Sequence, residues 1–315
     1  MHSNIRISEM QLGDAFEGYY VLKAAQQKTS QNGKPFLNAT LSDATGAMDA
    51  KVWDYPGPIG AQDVGSVVRV RGNVGEFRGA LQLTIDRIRL ADENDVYDCA
   101  ELVPVAPIDP DEAVSEIVSL LASMDDQDYR AVAQALFEKH EAELRRIPAA
   151  KSVHHSFIGG LLMHTLDMLR LADFLSRLYA PTVDRSMLLA GTFLHDLGKT
   201  REFDFSALGL VTDYSVEGQL IGHLVLGAQE AAETAAALGI PEEKSMLLQH
   251  LILSHHGQPE FGAAVVPQCL EAELLSLIDS VDSRVEIYRE ALAELQPGEF
   301  SQRIFALEKR IFRHE

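Results

Sequence analysis

Cysteine is almost missing: only Cys99 and Cys269 occur in 315 residues. They form no CxxC pair and are too few for a disulfide framework, which points to a reducing cytoplasm. No apolar run reaches the 18 or more residues of a membrane span, so no membrane partner is expected. The first residues, MHSNIRISEMQLGD, lack the basic-then-apolar pattern of a secretory leader. Also missing are a GxSxG elbow, a GxxxxGK[ST] phosphate loop and a GxGxxG dinucleotide loop. Nothing therefore favours a serine nucleophile, a P-loop nucleotide site or a Rossmann cofactor. Positive charge is scarce as well. The net charge of −20 excludes a general nucleic-acid coat protein.

The deficit is uneven. Residues 1–97 carry 10 Lys+Arg against 12 Asp+Glu, whereas the remainder carries 17 against 35. The N-terminal piece, nearly neutral with interleaved cations, can hold a polyanion locally. The rest of the surface would repel one.

Residues 5–90 contain short β-like runs separated by turn residues such as Asn32-Gly33, Asn73 and Gly79. This spacing predicts a small antiparallel barrel or sandwich. Val68 and Val70 alternate with Arg69 and Arg71, which makes one strand face basic. Residues 93–112, with three prolines and many acids, read as a linker. A helix is expected to start at Asp111, and helical periodicity then dominates. Helices are predicted over about 112–123, 126–143, 155–179, 184–198, 217–238, 241–256, 267–293 and 299–312, with an irregular or hairpin stretch at 201–216. The apolar faces of this acidic region also suit a homo-oligomer.

Eight of the 11 histidines lie between positions 154 and 256. Neutral imidazole is the commonest metal ligand, and mixed His/Asp sets suit Mn, Fe, Co, Ni or Zn. The sharpest segment is LLAGTFLHDLGKT, residues 188–200, where an apolar helix ends in His195-Asp196. A buried, unpaired carboxylate is costly, and a cation compensates it. Asp196 has two oxygens with which to bridge two ions, and Lys199 follows on the same face. His164, His223, His255, His256 and Asp279 also sit in apolar helical stretches. Each alone fits a satisfied core residue, but five such coincidences are improbable.

The order H…HD…H…HH…D resembles that of the HD-domain metal-dependent phosphohydrolases. HHSFIGGLLMHT, LLAGTFLHDLGK, VEGQLIGH and ILSHHGQPEFG look more specifically like the YhaM-type 3′–5′ exoribonucleases, which couple an N-terminal OB-fold to an HD domain. Residues 32–54 resemble that OB-fold. The resemblance implies a multidomain chain: an all-β OB barrel over 1–92, the linker, and an all-α HD bundle over 113–315. It further implies that His164, His195, Asp196 and Asp279 form one metal site. His223, His255 and His256 would complete a second, with Asp196 bridging and Lys199 neutralising phosphate charge. The cofactors would be two divalent ions, Mn²⁺ first among them, that activate water for in-line attack on a phosphodiester. The products would be nucleoside 5′-monophosphates. Asp282 is assigned to support of the ligands or to the surface. His154 and His155 stand equally for substrate contact and helix-start structure. His250 reads as a supporting or core residue, and His140 and His314 as surface.

OB barrels hold single strands by stacking bases on aromatics and tracking phosphates with cations. Phe36, Trp53 and Phe77 are the stacking candidates, and Lys34, Lys51, Arg69, Arg71 and Arg78 the phosphate candidates. Phe36 and Trp53 fit the barrel core equally well. The expected partner is single-stranded RNA, with single-stranded DNA second. Two alternatives stay open: an HD phosphodiesterase or nucleotidase for small or cyclic nucleotides, and a non-catalytic single-strand binder.

Overall fold

The computed structural model describes residues 4–30, 32–92, 94–149, 157–205, 211–293 and 295–315. His154 and His155 lie outside these residues. The chain divides into two compact units. One is Met1–Val105 with Phe205–Thr212, the other Ala106–Asp204 with Asp213–Glu315.

The first unit contains a closed five-stranded barrel of β1 (Ala15–Thr29), β2 (Pro35–Asp43), β3 (Gly46–Trp53), β4 (Val67–Phe77) and β5 (Ala80–Leu90), ordered β1-β2-β3-β5-β4. Closure comes from a short parallel pairing of Ala50 and Lys51 with Leu83 and Thr84. The period-2 pattern read from the sequence is the pattern of burial. Along β2, Leu37, Ala39 and Leu41 point inward and join Tyr20, Leu22, Val68, Val70 and Leu83 in the core. Asp43 is buried too, and is satisfied by the backbone N–H groups of Ile7, Thr45 and Gly46, which fixes the β2–β3 turn. Arg78, at φ 55°, sits in the two-residue β4–β5 turn, a conformation that side chains other than glycine seldom adopt.

The stretch read as a linker is partly ordered. α1 (Cys99–Leu102) forms within it, capped by the Asp98 side chain, and Leu102 and Val103 are buried. The boundary between units falls at Val105–Ala106.

The second unit is helical: α2 (Pro110–Ala122), α3 (Gln127–Leu144), α4 (Gly160–Leu178), α5 (Arg185–Leu194), α6 (Lys199–Glu202), α7 (Val216–Leu220), α8 (His223–Ala237), α9 (Glu242–Ser254) and α10 (Leu270–Ala293). Asp109, Asp126 and Asp184 cap α2, α3 and α5 by accepting first-turn N–H groups. α2 thus starts at Pro110, one residue before the expected Asp111, because Asp109 is the cap and proline suits the first helical position. A two-stranded sheet, β6 (Phe203–Phe205) with β7 (Val211–Tyr214), occupies the stretch expected to be a hairpin.

Three expected helices differ. The 184–198 helix ends at Leu194, and the chain turns through His195–Gly198 before α6. The 217–238 helix is two, broken at Gly222, whose φ of 78° no right-handed helix accommodates. Residues 299–312 are no helix. They fold back on themselves, with bridges Phe300↔Phe312 and Ile304↔Lys309 around a tight turn at Phe305–Leu307. Apolar residues at 304, 307 and 311 imitate helical spacing, yet Phe305 is 96% exposed and Glu308 takes a left-handed conformation.

Candidate metal centre and nucleic-acid interface

Six helical elements bring the expected ligands together. His164 comes from the first turns of α4, His195 and Asp196 from the end of α5, and Lys199 from the start of α6. His223 opens α8, His255 and His256 follow α9, and Asp279 lies within α10. His164, His195, Asp196 and His255 are essentially buried.

The two oxygens of Asp196 face two groups. Oδ2 lies 3.3 Å from His195 Nε2 and 3.7 Å from His164 Nε2, and Lys199 Nζ donates to it at 2.6 Å. Asp279 Oδ1 is 3.6 Å from the same His164 nitrogen. Oδ1 of Asp196 lies 3.5 Å from His223 Nε2 and 3.7 Å from His255 Nε2. Within the sets His164/His195/Asp196 and His223/His255/His256, the candidate ligand atoms all fall within 4.8 Å of one another.

The outer nitrogens define the tautomers. His195 Nδ1 donates to the Thr192 carbonyl at 2.7 Å, and His255 Nδ1 to the Ile252 carbonyl at 2.8 Å. Both contacts are i to i−3 bonds that the helix ends supply. His164 Nδ1 donates to Asp282 at 2.6 Å and His223 Nδ1 to Glu202 at 2.9 Å. With each Nδ1–H so engaged, the Nε2 lone pairs turn inward. This is the usual arrangement around metal-bound imidazole. Two of them, on His164 and His195, are only 3.2 Å apart. Lone pairs at that separation repel unless a cation or proton lies between them.

Other atoms support the same fit. Asp196 Oδ1, His223 Nε2, His255 Nε2 and His256 Nδ1 are buried without a hydrogen-bond partner. Each such atom costs on the order of 1–3 kcal/mol if nothing compensates it. Divalent cations held here would compensate all four. The electrostatics agree. Burial would raise the Asp196 carboxyl, but Lys199 and His195 outweigh it and hold it well below the ordinary range. Burial, reinforced by His195, pushes His255 well down, so it stays a neutral donor. Burial opposes a charge on Lys199, yet Asp196 raises its pKa and keeps it an ammonium.

Glu202 is a residue that the sequence reading did not identify. It accepts from both the ring Nδ1 and the backbone N–H of His223, at 2.9 and 3.1 Å. Its position, three residues after Lys199, is the only sequence signal for it. Asp282 is buried and accepts from His164 Nδ1, so the expected surface position is not the one it takes. His250 Nε2 accepts the Gln268 N–H, away from the centre. His140 was expected at the surface. It is 7% exposed, because Glu230 on α8 gives it a buried partner at 2.8 Å. Beside the centre opens a cleft of about 570 Å³ whose wall includes Asp196, Lys199, His255, His256, Asp279 and Arg284.

On the barrel, the eight candidate residues separate. Phe36 and Trp53 are partners across the β2–β3 ladder, with rings 5.1 Å apart. Lys51 Nζ lies 5.9, 5.2 and 4.8 Å from the ring centres of Phe36, Trp53 and Phe77. The Arg78 guanidinium lies 5.3 Å from Phe77. Trp53 and Phe77 are 52% and 50% exposed, and Phe36 is outside the barrel core. These rings therefore form a surface patch, which removes the core alternative. Lys34 pairs with Asp54 at the surface. Arg69 and Arg71 line a different cavity, with Arg87 and Arg89.

A closed five-stranded barrel joined to a helical unit with this His/Asp set defines an OB-fold plus HD-domain protein. Accordingly, the HD domain family matches residues 161–284, and a family of OB-fold nucleic acid binding domains matches residues 21–91. The 3′-5′ exoribonuclease YhaM of Halalkalibacterium halodurans is 39% identical over 303 residues, covering 96% of this chain and 93% of the relative. The chain belongs to the YhaM-type 3′–5′ exoribonuclease family.

Among solved structures, the second OB-fold domain of replication protein A from Methanococcus maripaludis is 19% identical. It covers 30% of this chain and 100% of its own, with a TM-score of 0.23. The HD domain of the phosphodiesterase PgpH from L. monocytogenes is 18% identical, covering 48% and 73%, with a TM-score of 0.30. Among the described residues, no helix is long and apolar enough to cross a membrane.

Proposed function

We propose that this chain is a 3′–5′ exoribonuclease that releases nucleoside 5′-monophosphates from single-stranded RNA, and acts also on single-stranded DNA. The observation that carries this reading is Asp196, with one oxygen facing His164 and His195 and the other facing His223 and His255. His164, His195, Asp196 and Asp279 would hold one divalent ion. His223, His255 and His256 would hold a second, with Asp196 shared. Mn²⁺ is the first choice, and Fe, Co, Ni and Zn suit the same donors. Bound ions would supply Lewis-acid stabilisation of the phosphodiester and a water acidified toward neutral pH.

The chain's own groups do the rest. Asp282, Glu202 and the two backbone carbonyls orient the imidazoles. Lys199, held by Asp196, places a fixed positive charge where phosphate charge develops. The aromatic patch with Lys51 offers stacking platforms to bases in any sequence. The two free cysteines suit the cytoplasm.

The test is an RNA oligomer incubated with purified protein and Mn²⁺, with products mapped from both ends. Stepwise shortening from the 3′ end with release of 5′-monophosphates is expected, abolished in His195→Ala and Asp196→Ala proteins that still fold. An oligomer that stays intact, or faster turnover of cyclic dinucleotides, would overturn the reading.

A further inference from the structure

Of the five phosphate candidates on the barrel, Arg69 and Arg71 lie apart from Lys51 and Arg78, with Arg87 and Arg89 beside them. Four arginines occupy facing positions on two neighbouring strands: Arg69 opposite Arg89 and Arg71 opposite Arg87. Together they line a cavity of about 590 Å³ that shares no residue with the Phe36–Trp53–Phe77–Lys51 patch. Like charges placed directly across a ladder destabilise a sheet. Here two such pairs adjoin.

The acids nearby engage two of the four, Arg69 and Arg89. Glu17 receives a hydrogen bond from Arg69 at 2.8 Å, and Asp95, outside the cavity wall, binds both terminal nitrogens of Arg89 at 2.6 and 2.7 Å. These three bonds fix and aim two guanidiniums. Arg71 and Arg87 are exposed and make no ion pair among the described residues. Asp86 is the remaining acid of the wall. Glu17 and Asp86 of the wall, with Asp95 and Asp92 beside it on Arg89, match the four cations in number, so the positive charge without a carboxylate partner is that of Arg71 and Arg87.

We propose that this arginine-lined cavity is a second anion site of the barrel, which grips consecutive backbone phosphates of a single RNA strand without reading its bases. Guanidinium forks suit phosphate oxygens, and two unengaged forks on adjacent strands can take two phosphates. The one aromatic of the wall, Tyr55, is half-buried and packed against the barrel core, so affinity here would come from charge, whereas the aromatic patch would act by stacking. The proposal rests on the reading that RNA is the substrate.

The full-length protein with Arg71→Ala and Arg87→Ala is compared with wild type for binding a uridine oligomer of about 20 nucleotides. Phosphorothioate linkages at the 3′ end prevent cleavage. Loss of two phosphate contacts should weaken binding roughly tenfold and lower the slope of log affinity against log salt by about 1.4, at ~0.7 per phosphate. The Arg71→Lys, Arg87→Lys protein should keep the wild-type slope. Trp53→Ala should weaken binding with its slope unchanged. If the alanine pair misfolds, the Arg71→Gln, Arg87→Gln pair serves in its place, with the melting temperature as the check.

An unchanged slope in the neutral variants overturns the proposal. So does displacement of the oligomer by millimolar 5′-UMP from wild type but not from the variant, which would reassign the cavity to a free nucleotide. A wild-type chain that binds the oligomer with the expected slope, but leaves the unmodified oligomer uncut, overturns the exonuclease reading and supports this one.

Discussion

Glu202 Oε1 takes two hydrogen bonds from His223, one from the ring and one from the backbone. The carboxylate thereby sets both the start of α8 and the direction of the imidazole. Burial would raise the Glu202 carboxyl, but its bonds to His223 lower it, so it stays an acceptor. Glu202→Gln should leave the fold intact and weaken metal binding by about 10–100-fold, the usual effect of removing such a support. Calorimetric titration of the metal-stripped protein with Mn²⁺ measures this. Wild-type affinity in the variant would mean that His223 is held by other means.

Gly198 is the other determinant of this corner. A Cβ there would lie 2.2 Å from the His223 carbonyl oxygen and 2.9 Å from the Gly227 nitrogen. Both are backbone atoms, which cannot swing aside. Gly198→Ala should therefore push α8 from the His195–Gly198 turn and cost about 1–3 kcal/mol. It should lower metal content more than its loss of melting temperature would suggest. Full metal occupancy with unchanged melting would show that the corner relaxes freely.

How much of this was legible beforehand varies by residue. His195-Asp196 is readable because two ionisable neighbours at the end of an apolar helix have no inexpensive alternative. His164, His223, His255, His256 and Asp279 are readable in the same way, as ionisable groups in apolar surroundings. Glu202 is not, since a glutamate among KTRE looks like any solvated helix residue until the fold lays it under His223. The break at Gly222 was hidden by continuous apolar spacing on both sides of it. At 299–312, spacing alone misled, since a folded-back turn buries Leu307 and Ile311 as a helix would. On the barrel, Arg69 and Arg71 were visible by alternation. Their partners Arg87 and Arg89 were not, because the register shifts at Arg71/Gly72 and places Asp86 out of step.

Trp53 is the barrel residue whose removal tests stacking most directly, being half exposed beside Phe36 and Lys51. Trp53→Ala should weaken binding of a single-stranded RNA by about 1–3 kcal/mol, the range for loss of one stacking base. Fluorescence anisotropy with a labelled oligomer at fixed salt is the measurement. Melting should hardly change, because the ring is no part of the core. Equal affinities would remove the patch from the RNA path.

Glu230 gives the helical unit a pH dependence separate from the metal centre. It is buried between Lys139 and His140. Burial would raise its pKa, but the hydrogen bonds from His140 and Lys139 prevail and bring it to about 2, from an ordinary 4.5. A carboxylate depressed in the folded state loses its proton more readily there than in the unfolded chain. Its contribution is therefore complete above about pH 4.5 and is lost as pH falls toward 2. Glu230→Gln should cost on the order of 1–3 kcal/mol at pH 7, since it leaves His140 and Lys139 without their anion. Denaturant melts of both proteins between pH 7 and pH 3 check the sign: the gap between them should narrow as the acid side is approached. A gap that stays constant, or widens, would show that Glu230 is not the group whose protonation is linked to unfolding.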